Sequence, residues 1–179
     1  MRKAGRHFLQ IPGPSAVPDR ILSAISRQTI DHRGPSFANV GLKALNGLKA
    51  IFKTEEHVFI YPASGTGAWE AALVNTLSPG DCVLMFETGH FSTLWKKLAE
   101  KLGLKAEFIE GDWRGGADPD RIEAYLAEDK EHDIKAVCVV HNETSTGSVS
   151  PIAAVRKAID NANHPALFMV DTISGLASL

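Results

Sequence analysis

Four short stretches carry residue types suited to gripping a small ligand. In "PASGTGAWEAA", Ser64, Gly65, Thr66 and Gly67 stand between an apolar run and a helical one. Backbone N–H groups at a helix N-terminus attract phosphate, glycines let a ligand approach, and hydroxyls add donors. The stretch lacks the Gly-Lys-Ser/Thr of a Walker loop. Trp69 and Glu70 also occupy the region where a dinucleotide fingerprint has its third glycine. A tight turn that needs glycine for its own backbone accounts for it as well. Phe91 follows the apolar run "DCVLMF" by a few residues. An aromatic there can stack on a planar ligand or join the core. "HNETSTG" gathers Asn142, Thr144, Ser145 and Thr146, either as donors to a phenolic or carbonyl oxygen or as a capped loop before the next helix. Asp171 ends the run "ALFMV". Burying a lone charge is expensive. Asp171 therefore needs a partner, and a protonated heterocyclic nitrogen, a structural ion pair or a helix N-cap would each serve.

Taken together, these are a phosphate cradle, a stacking ring, donors for a ring oxygen and a carboxylate for a ring nitrogen. That set complements pyridoxal 5'-phosphate. A carboxylate beside the pyridine nitrogen keeps it protonated, which makes the ring a better electron sink.

The elements that must position these residues alternate. A Pro-rich arm covers residues 1–20. "VPDRILSAISRQ" reads as a short helix, and "SFANVGLKALNGLKAIFK" as a longer one that Ser36 can cap. From there strands and helices take turns. The expected strands are "HVFIY", "DCVLMF", "KAEFIE", "IKAVCVV" and "ALFMV". The expected helices are "SGTGAWEAALVNTL", "STLWKKLAEKLG" with Gly103 at its C-terminus, "DRIEAYLAE" with Asp118 capping and Pro119 first, and "PIAAVRKAIDNA". This alternation predicts an α/β fold with three layers, α/β/α, around a mostly parallel sheet. The apolar strands fit helices on both faces. In such sheets ligands bind beyond the carboxyl ends of the strands, which is where the four stretches fall.

Composition narrows the classes of function. The 179 residues suffice for one domain with a core, and a net charge of -2 with interleaved signs gives no stripe for nucleic acid or an anionic membrane. No run approaches the roughly 20 apolar residues of a membrane span. Pro12, Pro14 and Pro18 interrupt the N-terminus, so no signal-peptide core forms. The expected setting is cytoplasmic. Cys82 and Cys138 sit in apolar runs and read as reduced core residues. The seven histidines have no metal-ligand spacing, so no metal is expected.

The chain resembles the class V, fold-type I pyridoxal-phosphate aminotransferases, in particular their serine–glyoxylate branch, with the alanine–glyoxylate branch nearby. The resemblance rests on "GRHFLQIPGPSAVP", "SGTGAWEAALVNTLSPGD", "IKAVCVVHNETSTG" and "HPALFMVDTIS", and covers almost the whole chain in order. It implies that residues 21–179 are an incomplete large cofactor-binding domain. Ser64, Gly65 and Thr66 would hold the cofactor phosphate, and Phe91 would stack on the ring. Thr144 would bond its phenolic oxygen, Asp171 its nitrogen, and Ile173 would pack on the face opposite Phe91. Gly13 would offer its backbone to the substrate. The implied reaction passes an amino group from serine or alanine to glyoxylate, giving glycine and a 2-oxo acid. The implied partners are those small molecules and a second copy of the full-length chain.

The family's Schiff-base lysine follows the aspartate in a Ser-Gln-Lys setting. Here no lysine follows Lys157, which lies in a predicted surface helix. The family's late arginine and small C-terminal domain are also missing. The expectation is a truncated chain, inactive alone, with the lysine beyond Leu179. A cysteine desulfurase-like enzyme of the same class is an alternative, although Phe91 stands where that branch usually has histidine. A non-catalytic domain binding phosphate or a nucleotide, and an inactive structural fragment, are the others.

Overall fold

The computed structural model describes residues 9–179, so His7 and the first part of the Pro-rich arm lie outside the described residues. The chain divides into two compact units, one ending at Ile60 and one spanning Tyr61–Leu179.

The first unit holds α1 (Asp19–Ile25) and α2 (Pro35–Phe52). Ser36 does not cap α2. Gly34 is the N-cap and Pro35 opens the helix, because proline's missing N–H costs nothing at that position and its fixed φ is already helical. Neither helix contains a buried residue. "HVFIY" was expected to be a strand, but residues 57–61 form none. A strand exists through hydrogen bonds to a neighbour, and no residue of this run has a ladder partner among the described residues. Phe59 and Ile60 are instead 74% and 63% exposed.

The second unit holds α3 (Gly65–Thr76), β1 (Cys82–Phe86), α4 (His90–Lys101), β2 (Lys105–Ile109), α5 (Pro119–Glu128), β3 (Ile134–Val140), α6 (Ile152–Asn161) and β4 (Leu167–Asp171). Its four strands lie in the order β2-β1-β3-β4, and every pairing is parallel. Side chains alternate along a strand, and the two cores follow that alternation. Leu84, Phe86, Val137 and Val139 pack with Ile122 and Leu126 of α5 and Val155 and Ile159 of α6. Val83, Met85, Cys138 and Val140 pack with Trp69 and Leu73 of α3 and Trp95 and Ala99 of α4. Helices α3 and α4 thus cover one face and α5 and α6 the other, giving the three layers expected. The inner strand β1 is nearly all buried, whereas edge strand β2 alternates.

The strand order has a consequence for ligands. The chain leaves β1 toward one edge of the sheet and leaves β3 toward the other. The connections after β1 and β3 therefore run to opposite edges, the topology at which open α/β sheets usually bind a ligand.

Candidate active site

The loops after β1, β3 and β4 and the entry to α3 are joined by a series of contacts. Ser64 is the N-cap of α3, and its side chain makes no capping hydrogen bond. Ser64 and Thr66 are both exposed. A Cβ on Gly65 would stand 3.5 Å from the Ile173 side chain, so the α3 entry lies against the residue two positions beyond Asp171. Ile173 itself is 65% exposed.

Asp171 is the last residue of β4 and is paired in register with Val140 of β3. The residue is 7% exposed. Two donors reach it: the Trp69 indole N–H bonds Oδ2 at 2.9 Å, and the Ile173 backbone N–H bonds Oδ1 at 2.8 Å. No cation pairs with it among the described residues, and it caps no helix. A carboxylate offers about four acceptor positions, so this one retains capacity for a cationic donor. A protonated ring nitrogen fits that requirement.

Phe91 does not lie in a loop, as its place after "DCVLMF" suggested. Helix α4 begins at His90, so Phe91 stands in its first turn. Two side chains extend the helix beyond its expected start. Ser92 Oγ accepts the N–H groups of Thr88 and Gly89 and donates to the Gly89 carbonyl. The Glu143 carboxylate accepts the backbone N–H groups of Phe91 and Ser92 at 3.2 and 3.1 Å. Glu143 also accepts the Ser145 N–H and hydroxyl at 3.1 and 2.6 Å. It is completely buried and carries four donors, so the loop after β3 is stitched to the start of α4. Gly89 is required by this packing, because a Cβ there would stand 2.5 Å from Glu143 Cγ.

Thr144 sits beside that clamp. Its hydroxyl lies 2.7 Å from Ser174 Oγ, while Ser174 Oγ donates to the Asn142 carbonyl at 2.9 Å. The Ser174 proton is therefore committed, and Thr144 is the donor of the pair. A ligand oxygen has to draw that proton away from Ser174. The Asn142 amide also reaches Ser174 Oγ, at 3.2 Å, closing the contact between the loops after β3 and β4.

Contacts thus link Gly65 to Ile173, Ile173 to Asp171 and Thr144 to Ser174, while Phe91 is tied to Glu143 through its backbone and packs against the core under α3 and α4. Pro12–Pro14, with Gly13, belong to the unit ending at Ile60. Lys157 is exposed on α6. Both cysteines are free, and burial pushes the Cys138 thiol up to about 12, which makes it a core residue and no nucleophile. Two important residues escaped the reading of the sequence. In the sequence Trp69 stands out only where a fingerprint glycine would be, and Glu143 only within a polar run. Neither could be singled out, because their partners lie 102 residues away for Trp69 and about 50 for Glu143.

The aminotransferase class V family profile matches residues 7–179. The chain belongs to the class V aminotransferases. As a class V aminotransferase it is 50% identical over 179 residues to a serine–glyoxylate aminotransferase of Methylorubrum extorquens, which aligns 99% of this chain with 44% of that protein. It is 46% identical to an L-aspartate–glyoxylate aminotransferase of Paracoccus denitrificans, over 94% of this chain and 43% of that one. Among solved structures, an alanine–glyoxylate aminotransferase from Nostoc sp. superposes with a TM-score of 0.87 at 26% identity, over 99% of this chain and 46% of its own length. This class V chain therefore spans less than half the length of the curated relatives it matches.

Proposed function

We propose that this chain supplies the cofactor-binding portion of a pyridoxal-phosphate-dependent aminotransferase that passes the amino group of serine, or of alanine, to glyoxylate. The observation that carries the reading is Asp171, a buried carboxylate at a strand end with two neutral donors and no ion pair among the described residues. The choice of glyoxylate as acceptor is supported by the names of the relatives, which share it while their amino donors differ.

When bound, the cofactor would supply an electron sink for the bonds at the substrate α-carbon. The chain's own residues would do the holding. The α3 N-terminus, with Ser64, Gly65 and Thr66, would neutralise the phosphate through backbone N–H groups and hydroxyls. Phe91 and Ile173 would grip opposite faces of the ring. The Thr144 hydroxyl would turn from Ser174 to the phenolic oxygen, exchanging one hydrogen bond for another. Asp171 would hold a proton at the ring nitrogen. The base that moves the substrate proton is a lysine in this chemistry, and Lys157 on α6 is not placed for it by this reading. The 179-residue chain alone is therefore proposed to bind the cofactor without turning over. In its full-length form we propose a cytoplasmic homodimer; no helix among the described residues is long and apolar enough to cross a membrane.

Pyridoxamine 5'-phosphate tests the reading, because it has the ring and the phosphate but no aldehyde to react with surface lysines. Titrating the chain and following tryptophan fluorescence should give saturable binding. Asp171→Ala should weaken it roughly 10- to 100-fold, the value of a hydrogen bond to a charged group. Equal affinity in the two proteins would overturn the assignment of Asp171. Serine–glyoxylate turnover by the 179-residue chain would overturn the predicted inactivity. The same assay on any longer product of the reading frame tests the donor.

A further inference from the structure

We propose that Trp69 is a positioning residue for Asp171, its indole N–H fixing the carboxylate that faces the ring nitrogen in the reading above, on which this inference rests. The Trp69 indole donates to Asp171 Oδ2 at 2.9 Å, and the Ile173 N–H holds Oδ1 at 2.8 Å. With both oxygens tied, the carboxylate plane cannot rotate, and its remaining lone pairs point in fixed directions. Hydrogen bonds to a carboxylate from a buried donor are among the stronger ones in proteins.

The position of Trp69 in the fold gives the bond its use. Trp69 lies on α3, the helix whose first turn contains Gly65 and Thr66. It is 6% exposed and stacks on Trp95 of α4, with ring centroids 5.5 Å apart and planes 10° from parallel. The indole is therefore held rigidly by two helices. Through it, the helix that would carry the phosphate subsite also carries the ring-nitrogen partner, so the spacing between the two subsites is set by α3. A phenylalanine at this position would keep an aromatic ring beside Trp95 but leave Oδ2 without its donor.

Trp95 provides the internal control. It belongs to the same stack and is also buried, at 3% exposed, but its indole N–H has no hydrogen-bond partner among the described residues. Trp113, the third tryptophan, donates instead to Glu87 at 2.9 Å in an exposed setting. The chain's three tryptophans thus present three distinct indole environments.

The experiment compares the 179-residue chain with Trp69→Phe, Trp95→Phe, Asp171→Asn and the Trp69→Phe/Asp171→Asn double variant. Circular dichroism first establishes that each folds. Indole N–H resonances in nitrogen–proton correlation spectra are assigned by the single tryptophan variants. Asp171→Asn should displace the Trp69 signal and leave those of Trp95 and Trp113 in place. Pyridoxamine 5'-phosphate affinity should fall about tenfold in Trp69→Phe and stay within about twofold in Trp95→Phe. The double variant should bind no more weakly than Asp171→Asn alone. An unmoved Trp69 signal in Asp171→Asn, or equal losses in the two tryptophan variants, would overturn the proposal. If Asp171→Asn displaces the Trp69 signal but no protein binds pyridoxamine 5'-phosphate, the cofactor reading fails while the Trp69–Asp171 contact stands.

Discussion

The unit ending at Ile60 and the unit from Tyr61 onward are built from similar helical patterns, yet among the described residues only the second owns a core. Helix α2 carries Phe37, Val40 and Phe52 at helical spacing, but these are 45%, 59% and 48% exposed. Helices α3 to α6 bury Leu73, Trp95, Ile122 and Ile159 to 3% exposed or less. The difference lies in the sheet. Strands β1 and β3 offer two apolar faces to the helices of the second unit, whereas the first unit contains no strand among its described residues. A helical pattern specifies a helix, but stability comes from what its apolar face is packed against. The site follows the same division. Every hydrogen bond that holds Asp171, Glu143 and Thr144 lies within the second unit.

The largest test of this contrast is amide hydrogen exchange. Amides of α1 and α2 should exchange at least about a thousandfold faster than those of β1 and β3, because segments without buried contacts open at little cost while core strands open only with global unfolding. Equal protection would break the comparison. Next in size, Glu143→Ala should destabilise the second unit by on the order of 3 kcal/mol or more in urea unfolding, since it leaves four donors around a buried space. A loss below about 1 kcal/mol would show that the clamp is dispensable. A matched pair of truncations sharpens the contrast further. Leu73→Ala should cost about 2–5 kcal/mol, and Val40→Ala in α2 less than about 1 kcal/mol. Similar costs would mean that α2 is packed as firmly as α3.

The smallest effect concerns pH. Partial burial pushes the Asp129 carboxyl up, but the backbone N–H groups of Ile134 and Asp133 and the His164 ring outweigh this and hold it below its ordinary value. A carboxyl depressed in the folded state adds stability above its unfolded value and loses it as pH falls through the folded one. The second unit should therefore lose stability as acid protonates Asp129. Asp129→Asn should flatten that part of the stability–pH curve, and an unchanged acid limb would locate the effect elsewhere.

Much of the second unit was legible in the sequence because its signals are local. Asp118 and Pro119 do open α5, with Asp118 accepting the Asp120 and Arg121 N–H groups. Gly103 does follow α4, at φ +84°, where glycine alone is unstrained. Three differences remain. "HVFIY" has the composition of a strand but no neighbour to pair with, Ser36 lost the cap of α2 to Gly34 and Pro35, and α4 starts early because Glu143 reaches its N–H groups from another loop. The first and third were decided by residues distant in the chain, the second by the two residues immediately before Ser36. The candidate site divides in the same way. Phe91, Thr144, Asp171 and Ile173 could be proposed from strand ends, and Ser64, Gly65 and Thr66 from a helix start and family resemblance, whereas Trp69 and Glu143 could not.

By itself the sequence determined the order of strands and helices after Tyr61, the parallel sheet they imply, and which residue types would stand at the strand ends. Those depend on periodicity, turn chemistry and chirality, which act over a few residues at a time. Only the tertiary structure decided that Asp171 is tied through both oxygens, that Trp69 carries one of those ties, and that a buried glutamate joins two loops. Hydrogen bonds between residues distant in the chain exist only once the sheet has brought the loops together, and burial then makes each unpaired polar group too costly to tolerate.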